Sequence, residues 1–204
     1  QLFAPSVTGW HDPDLAPLRH DPAAARALLA EAGWRPCADG MLVRDGQRFG
    51  MEILTYFNWP ELPPLATALQ AQLRSVGIDA RVVVGNSSDI VARHRAGTLS
   101  AGLVSRNYAF TPDPLAALLQ DFGADGGDWG ATGWSNPELL TLQERMSAIS
   151  ASAARVSLQK EAVGILQDEL PVIPIVWAEM AVVANKRIVA GRADPFEVNF
   201  NIAG

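Results

Sequence analysis

The sequence predicts an α/β domain with a mixed, mostly parallel sheet flanked by helices, and three observations support this prediction. The chain has 204 residues, of which 49% are hydrophobic and 19% charged, a composition typical of a globular domain with a sizeable core. Two apolar segments, 51–56 and 80–84, stand on either side of a helical pattern over 64–76. This strand, helix, strand succession occupies about 35 residues, the size of a βαβ unit, whose right-handed crossover makes the two strands parallel.

The amino-terminal part of the chain begins with a proline-rich stretch, which a clear helix start follows. Residues 1–20 lack periodicity and are predicted to form an extended lead-in. Asp21 is a good N-cap residue, Pro22 suits the first turn of a helix, and residues 23–32 are strong helix formers. Gly33 supplies the stop signal. The first helix is therefore expected from Pro22 to about residue 32.

A small hairpin is expected between this helix and the βαβ unit. Asp-Gly dipeptides stand at 39–40 and at 45–46, and this dipeptide favours the tight turns that connect antiparallel strands. The short apolar run 41–43 lies between them, and the chain then enters the strand predicted at 51–56. The hairpin would therefore precede the parallel sheet.

Helical and strand patterns continue through the rest of the chain. The apolar segment 101–105 is predicted to be a third strand of the sheet. Two further apolar segments, 173–177 and 181–184, flank a turn that contains a glutamate and are predicted to be terminal strands. The remaining helices are predicted over 88–96, 114–120, 137–149 and 153–169.

Charge and the available metal-binding side chains argue against several classes of function. The net charge is −6 and the 16 basic residues are scattered, whereas phosphate contacts need clustered Lys and Arg. Cys37 is the single cysteine, which excludes an internal disulfide and a multi-thiolate metal site. His11, His20 and His94 are far apart in the sequence. We therefore expect no nucleic-acid partner, no metal held by side chains and no cofactor.

The sequence also lacks the signature of a catalytic serine. The segment 85–88, Gly-Asn-Ser-Ser, follows a predicted strand but has no second glycine, which a nucleophile elbow of the Gly-x-Ser-x-Gly type requires. The three histidines are scattered and offer no obvious general base. We therefore expect that the chain is not an enzyme and has no catalytic residues, with a hydrolase as the remote alternative.

The ends of the sequence and its hydropathy bear on location. No apolar run approaches the ~20 residues of a membrane span, and no signal peptide opens the sequence. The first residue is Gln1 rather than Met. We expect a piece of a longer protein, and a missing export signal then says nothing about location.

Six short motifs follow one another along residues 21–177. They are the Asp-Pro to Gly-Trp segment at 21–34, the two Asp-Gly pairs, the segment 68–78 that ends in Val-Gly-Ile, the Asp-Pro pair at 113–114, the Asn-Pro-Glu at 136–138 and the Pro-Val-Ile-Pro at 171–174. Together, in this order, they resemble the extracellular solute-binding proteins of family 5, the group that binds oligopeptides, dipeptides and nickel.

The resemblance implies a two-lobed protein that closes over its ligand. This chain would supply most of the carboxy-terminal lobe, a periplasmic-binding-protein-like α/β lobe over residues 21–170. Residues 1–20 would be the lead-in. Residues 171–204 would form terminal strands and a tail that return toward the first lobe.

The resemblance also implies a function. Members of this family serve ABC importers, bind a small solute in the periplasm or extracellular space, and deliver it to permease subunits in the membrane; some carry a lipid anchor. The solute would be a nickel chelate, such as a metallophore, or a short peptide. The alternative from another class is a ligand-sensing lobe of a regulator or of a chemoreceptor-type protein.

The candidate ligand-binding residues lie mainly in the segment after the third predicted strand. Ligands of open α/β sheets bind beyond the carboxyl ends of the strands, where Arg106, Asn107, Tyr108 and Phe110 are expected. In the family's peptide-binding members, an acidic residue three positions before the Asp-Pro pair holds the peptide's amino terminus, and Phe110 stands there instead. The nickel-binding branch carries an arginine and then an aromatic residue, similar to Arg106 and Tyr108. The resemblance thus implies a nickel chelate or another small anionic ligand rather than a peptide.

For several of the candidate residues, a structural role is the alternative to ligand binding. Arg106, expected to hold a ligand carboxylate, would otherwise pair with a surface acid, and Tyr108 would otherwise belong to the core. Trp129, in a glycine-rich loop, would stack on ligand or on the opposite lobe, or would anchor the loop. Asp113 is predicted to cap the next helix, with Pro114 at its first position. Four other tryptophans are predicted to be core or interface aromatics: Trp10, Trp34, Trp59 and Trp177.

Overall fold

The chain divides into two compact units, each of which is described by itself. Unit 1 contains Gln1–Leu18 and the described residues from Asn107 onward, and unit 2 contains Arg19–Arg106. The boundaries expected at residues 20 and 170 remain predictions. The computed structural model describes residues 1–108, 111, 113–124, 127, 133–150, 153–179, 181, 183 and 185–187.

Unit 2 opens with helix α1, Pro22–Glu31, which confirms the first predicted helix. Asp21 is its N-cap, because its carboxylate accepts hydrogen bonds from the backbone N–H of Ala23 at 3.0 Å and of Ala24 at 2.9 Å. Gly33 follows the helix with a φ of +89°, a conformation that favours glycine. Both ends of the helix are therefore specified by local sequence.

A three-stranded antiparallel sheet follows α1 and contains the predicted hairpin. Strands β2, Leu42–Arg44, and β3, Gln47–Arg48, pair with each other across the second Asp-Gly turn. Strand β1, Arg35–Pro36, pairs with the other edge of β2. The sequence did not predict β1, because a strand of two residues is too short to show any alternation of apolar and polar side chains.

The parallel sheet of unit 2 confirms the predicted βαβ unit. Strand β4, Gly50–Tyr56, leads through helix α2, Leu62–Ser75, into strand β5, Asp79–Gly85, and the two strands pair in parallel along their whole length. Helix α3, Ser87–Arg95, then leads to strand β6, Ala101–Gly102, which pairs in parallel with the other edge of β4. Strand β6 is shorter than the expected 101–105, because after Leu103 N–H the bonds to β4 involve the side chains of Thr55 and Tyr56 rather than a continued backbone ladder.

Helices α2 and α3 cover opposite faces of this sheet. The buried side chains of Ile53, Ala66 and Ala80 form the core between the sheet and α2. Glu52 points to the other face of β4, where its carboxylate is bound by Arg93 of α3. This arrangement follows from two right-handed crossovers, the first from β4 to β5 and the second from β5 back past β4 to β6.

Among its described residues, unit 1 contains three helices, all of which were predicted. They are α4, Leu115–Phe122, α5, Pro137–Ser147, and α6, Ala153–Glu169. In the described part of the chain, no helix is both long and apolar enough to cross a bilayer. The buried core that the helices share contains Leu115, Leu118, Phe122, Leu139, Leu142, Met146, Leu158, Ala162, Val163 and Leu166.

The amino-terminal segment differs from the expected extended lead-in. Residues 1–18 run through a series of turns, and Phe3 and Trp10 are fully buried in the core of unit 1. Their rings are 5.0 Å apart, and Lys160 of α6 binds Asp12 at 2.8 Å. A proline-rich, aperiodic segment shows no helix or strand pattern, yet two large aromatic side chains in it suffice to anchor it to a core.

The strand expected at 173–177 is absent. These residues carry neither helix nor strand, and Ile173 and Val176 expose 67% and 62% of their surface. A strand needs a ladder partner, and among the described residues none pairs with this segment. Only part of the second expected strand, 181–184, lies within the described residues.

Candidate functional site

The carboxyl edge of the parallel sheet has the topology of a ligand site. In the order β5-β4-β6, the connection from β4 goes to one side through α2, and the connection from β5 returns past β4 to the other side. The loops at the carboxyl ends of β4 and β5 therefore lead to helices on opposite faces of the sheet, α2 and α3. Such a switch point opens a crevice at the strand ends, where open α/β sheets bind ligands.

Hydrogen bonds fasten the segment after β6 to the end of β4. The backbone N–H of Leu103 donates to Leu54 O at 2.9 Å, and the buried Thr55 hydroxyl donates to Leu103 O at 3.0 Å. Two residues further along the chain, the Tyr56 hydroxyl accepts the backbone N–H of Ser105 at 3.1 Å. These bonds hold residues 103–105 beside the carboxyl end of β4, so Arg106 leaves the sheet from a fixed point.

The structure places the predicted site residues in different surroundings. Arg106 is half-buried and belongs to unit 2, whereas Asn107 and Tyr108 are half-buried and belong to unit 1. The ring of Tyr108 packs edge-on against Phe3, with the centroids 5.4 Å apart. This packing is what the core alternative expects for Tyr108. Phe110 and Trp129 lie outside the described residues, and ligand binding by all five residues stays a prediction.

Asp113 has a structural role at the start of α4, close to the one predicted. Its Oδ1 accepts the backbone N–H of Leu115 at 3.1 Å, although Pro114, rather than Asp113, directly precedes the helix. Its Oδ2 is bound by the guanidinium of Arg155, a largely buried side chain of α6. The Asp-Pro pair therefore helps to join α4 to α6.

Two exposed aromatic residues at the carboxyl edge were not predicted as site residues. Phe57 and Trp59 lie in the loop between β4 and α2 and expose 63% and 44% of their surface. Trp59 had been expected in a core or an interface. The signal that could have identified both residues is their position directly after a buried strand, in a loop that opens a helix.

A charged cleft of about 560 Å³ lies at the opposite, amino end of the same sheet. Glu52 is at its centre and is bound by Arg81 at 2.6 Å and by Arg93. Partial burial acts to raise the pKa of Glu52, but the hydrogen bonds from the two guanidinium groups outweigh it, and the pKa is lowered. Asp79 is likewise bound by Arg74 at 3.4 Å. Acids and bases in this cleft thus neutralise each other.

The described residues contain no group of three or more His, Cys, Asp or Glu side chains that could hold a metal ion. His11 bonds through Nδ1 to Phe3 O at 3.0 Å. Cys37 donates to Asp39 Oδ1 at 2.9 Å.

Comparison with known families decides the assignment of the chain. The model of the bacterial extracellular solute-binding proteins, family 5, matches residues 1–129. The chain belongs to this family. The family 5 match includes all of unit 2 and the segment that carries Arg106, Asn107 and Tyr108, and it confirms the resemblance inferred from the six motifs.

Two named proteins of Escherichia coli are similar in sequence to nearly the whole of this chain. The nickel-binding periplasmic protein of Escherichia coli is 29% identical over 191 residues, which are 92% of this chain and 36% of that protein. The dipeptide-binding protein of Escherichia coli is 25% identical over 197 residues, 95% of this chain and 35% of that protein. The chain thus spans little more than a third of the length of these relatives.

Solved structures of family 5 proteins share the fold. The NikA protein of Brucella suis, in complex with Fe(III)-EDTA, is 28% identical with a TM-score of 0.67, over 82% of this chain and 34% of that one. The oligopeptide-binding protein AppA of Bacillus subtilis, in complex with a nonapeptide, has a TM-score of 0.68 at 20% identity, over the same shares of each chain. The α/β, periplasmic-binding-protein-like fold predicted from the sequence is confirmed.

Proposed function

We propose that this chain is part of the substrate-binding component of an ABC import system. The complete protein would bind a small solute between two lobes and deliver it to permease subunits in the membrane. The observation that carries the proposal is the match of family 5 over residues 1–129, together with a switch point at the carboxyl edge of the sheet. The protein would act in the periplasm or extracellular space, either free or held at the membrane by a lipid anchor.

The proposed mechanism is reversible binding, with no bond made or broken in the solute. A solute that contacts both lobes stabilises the closed form, because it interacts better with that form than with the open one. The permease would then distinguish the loaded, closed protein from the open one. This mechanism needs no catalytic residue, in agreement with the expectation that the chain is not an enzyme.

The proposed solute is a nickel chelate or a short peptide, with the chelate preferred. Phe110 stands where the peptide-binding members of the family are expected to carry an acid, so the charge that would hold a peptide's amino terminus is missing. Arg106 follows the fastened segment 103–105 and offers a planar guanidinium that suits a carboxylate of the chelating molecule. Because the described residues hold no metal-binding cluster, the nickel would arrive already chelated.

Native mass spectrometry of the full-length protein, purified without refolding from its host, tests this proposal. The expected result is a complex whose added mass corresponds to nickel plus a small organic chelator, and whose mass falls to that of the free protein under activating collision. A co-purified peptide would keep the import function and overturn the chelate preference. A protein without any small solute, which also fails to bind nickel with L-histidine or a dipeptide in titrations, would overturn the function itself.

A variant of Arg106 tests its role in the full-length protein. If Arg106 holds a carboxylate, Arg106→Ala lowers the affinity for nickel with L-histidine by about 10- to 100-fold, since a hydrogen bond to a charged group contributes roughly 1.5–3 kcal/mol. Arg19→Ala, which changes an exposed arginine of the same unit, is the matched control and keeps the parent affinity. Equal affinities of both variants by titration calorimetry would remove Arg106 from the site.

A further inference from the structure

The loop at the carboxyl end of the central strand β4 carries two exposed aromatic residues, Phe57 and Trp59, which we call the aromatic pair. They expose 63% and 44% of their surface, whereas Tyr56, directly before them, exposes 4%. Exposure of large aromatic side chains to water is unfavourable. Two of them in one loop therefore indicate a surface that a binding partner covers.

The loop that carries the pair is fixed at both ends. Tyr56 ends β4 and is tied to Ser105 by the bond between its hydroxyl and the Ser105 N–H. At the other end, Trp59 O accepts the backbone N–H of Leu62 at 3.1 Å, where α2 begins. The two rings are thus carried by a short, anchored loop, so a ligand that stacks on them would have little backbone entropy to remove.

The start of α2 favours an apolar rather than an anionic neighbour. Pro63 and Pro64 occupy the first turn and have no N–H to donate, and the N–H of Leu62 and of Leu65 bond to backbone oxygens within the loop and the first turn. A helix start normally attracts anions through free N–H groups, and this one offers few. The β4–α2 side of the carboxyl edge therefore presents aromatic surface.

The segment after β6 brings an arginine to the same edge. Arg106 follows Ser105, which the Tyr56 hydroxyl binds, and the aromatic pair follows Tyr56 directly. A single hydrogen bond thus joins the bases of the two chemically different loops. A small solute at this switch point would meet a flat apolar surface on one side and a guanidinium on the other.

We propose that Phe57 and Trp59 are specificity-determining residues that select solutes with a planar ring beside a carboxylate. The inference rests on the proposed binding function and deepens it by naming the solute class. Aromatic rings stack on planar groups and contribute beyond simple burial, whereas a small aliphatic solute gains little from them. An aromatic amino-acid or imidazole group of a chelator, or an aromatic side chain of a dipeptide, fits this class.

Two pairs of probes, each differing in a ring, test the inference in the full-length protein. One pair is nickel with L-histidine against nickel with glycine, and the other is the dipeptide Ala-Phe against Ala-Ala. Calorimetry gives the affinity ratio of the ring-bearing to the ring-free probe in the parent protein and in Phe57→Ala, Trp59→Ala and Trp59→Phe. Leu28→Ala, which removes an exposed apolar side chain from α1, is the matched control.

The expected result is a preference for the ring-bearing probe that falls by about three- to tenfold in each alanine variant. Trp59→Phe and Leu28→Ala retain the preference, and the ring-free probe binds all variants equally. Equal weakening of both probes would mean that the pair contacts the other lobe, and unchanged affinities for both probes would mean that it contacts neither solute nor lobe. Either result overturns the inference while the binding function stands. A parent protein that binds none of the four probes overturns both.

Discussion

Replacement of Leu118 by alanine tests the packing of the helices in unit 1. Leu118 lies in the middle of α4, is 0% exposed and belongs to the core that α4, α5 and α6 share. Truncation of a fully buried leucine removes its transfer free energy and leaves a cavity, a loss of about 2–5 kcal/mol. Leu119, the next residue of the same helix, is 40% exposed, so Leu119→Ala should cost about 1 kcal/mol or less.

The difference in stability between these two variants reports the effect of burial alone, because both make the same chemical change in the same helix. Urea unfolding followed by circular dichroism would measure the free energy of unfolding, and a thermal scan should show a shift of about 2–4 °C per kcal/mol for a chain of this size. Leu118→Ala is expected to be less stable than Leu119→Ala by at least about 1 kcal/mol. Equal losses would refute the assignment of the inward face of α4.

Two further predictions concern unit 2. Because the folded-state pKa of Glu52 is lowered, its contribution to stability is present above its ordinary pKa near 4.5 and is lost as the pH falls through the lowered value. Urea unfolding at several pH values should therefore show a smaller acid-induced loss in Glu52→Gln than in the parent. Gly77 has a φ of +92°, and a Cβ there would lie 2.8 Å from Leu42 Cγ, so Gly77→Ala should destabilise more than Gly97→Ala, where φ is +67° and the space is open. Equal melting temperatures of the two variants would contradict this.

The parts of the fold that the sequence predicted are those with strong local signals. Asp21 and Pro22 mark the start of α1, and α6 spans the predicted residues 153–169 and ends two residues before Pro171. The parallel pairing of β4 and β5 followed from the length of the connection alone. Each of these features depends on residues that are near one another in the sequence.

The parts that the sequence missed depend on contacts between distant residues. Phe3 and Trp10 are buried only because helices more than 100 residues later supply the core around them, and no periodicity in the segment can reveal that. The shortness of β6 depends on where Leu103 and Ser105 bond to the end of β4. For the candidate site, the loop after the third strand was recognisable from a family motif, whereas Phe57 and Trp59 belong to no such motif.

Topology, rather than cavity volume or arginine content, distinguishes the two ends of the parallel sheet. In each crossover the helix runs back against the strands, so the carboxyl ends of α2 and α3 lie at the amino end of the sheet. Those helix ends carry partial negative charge, which Arg74 in the last turn of α2 and Arg93 in that of α3 complement. Both arginines also bind carboxylates there. The arginines of the amino-end cleft are thus already compensated within the fold, whereas the carboxyl edge presents exposed aromatic rings on an anchored loop.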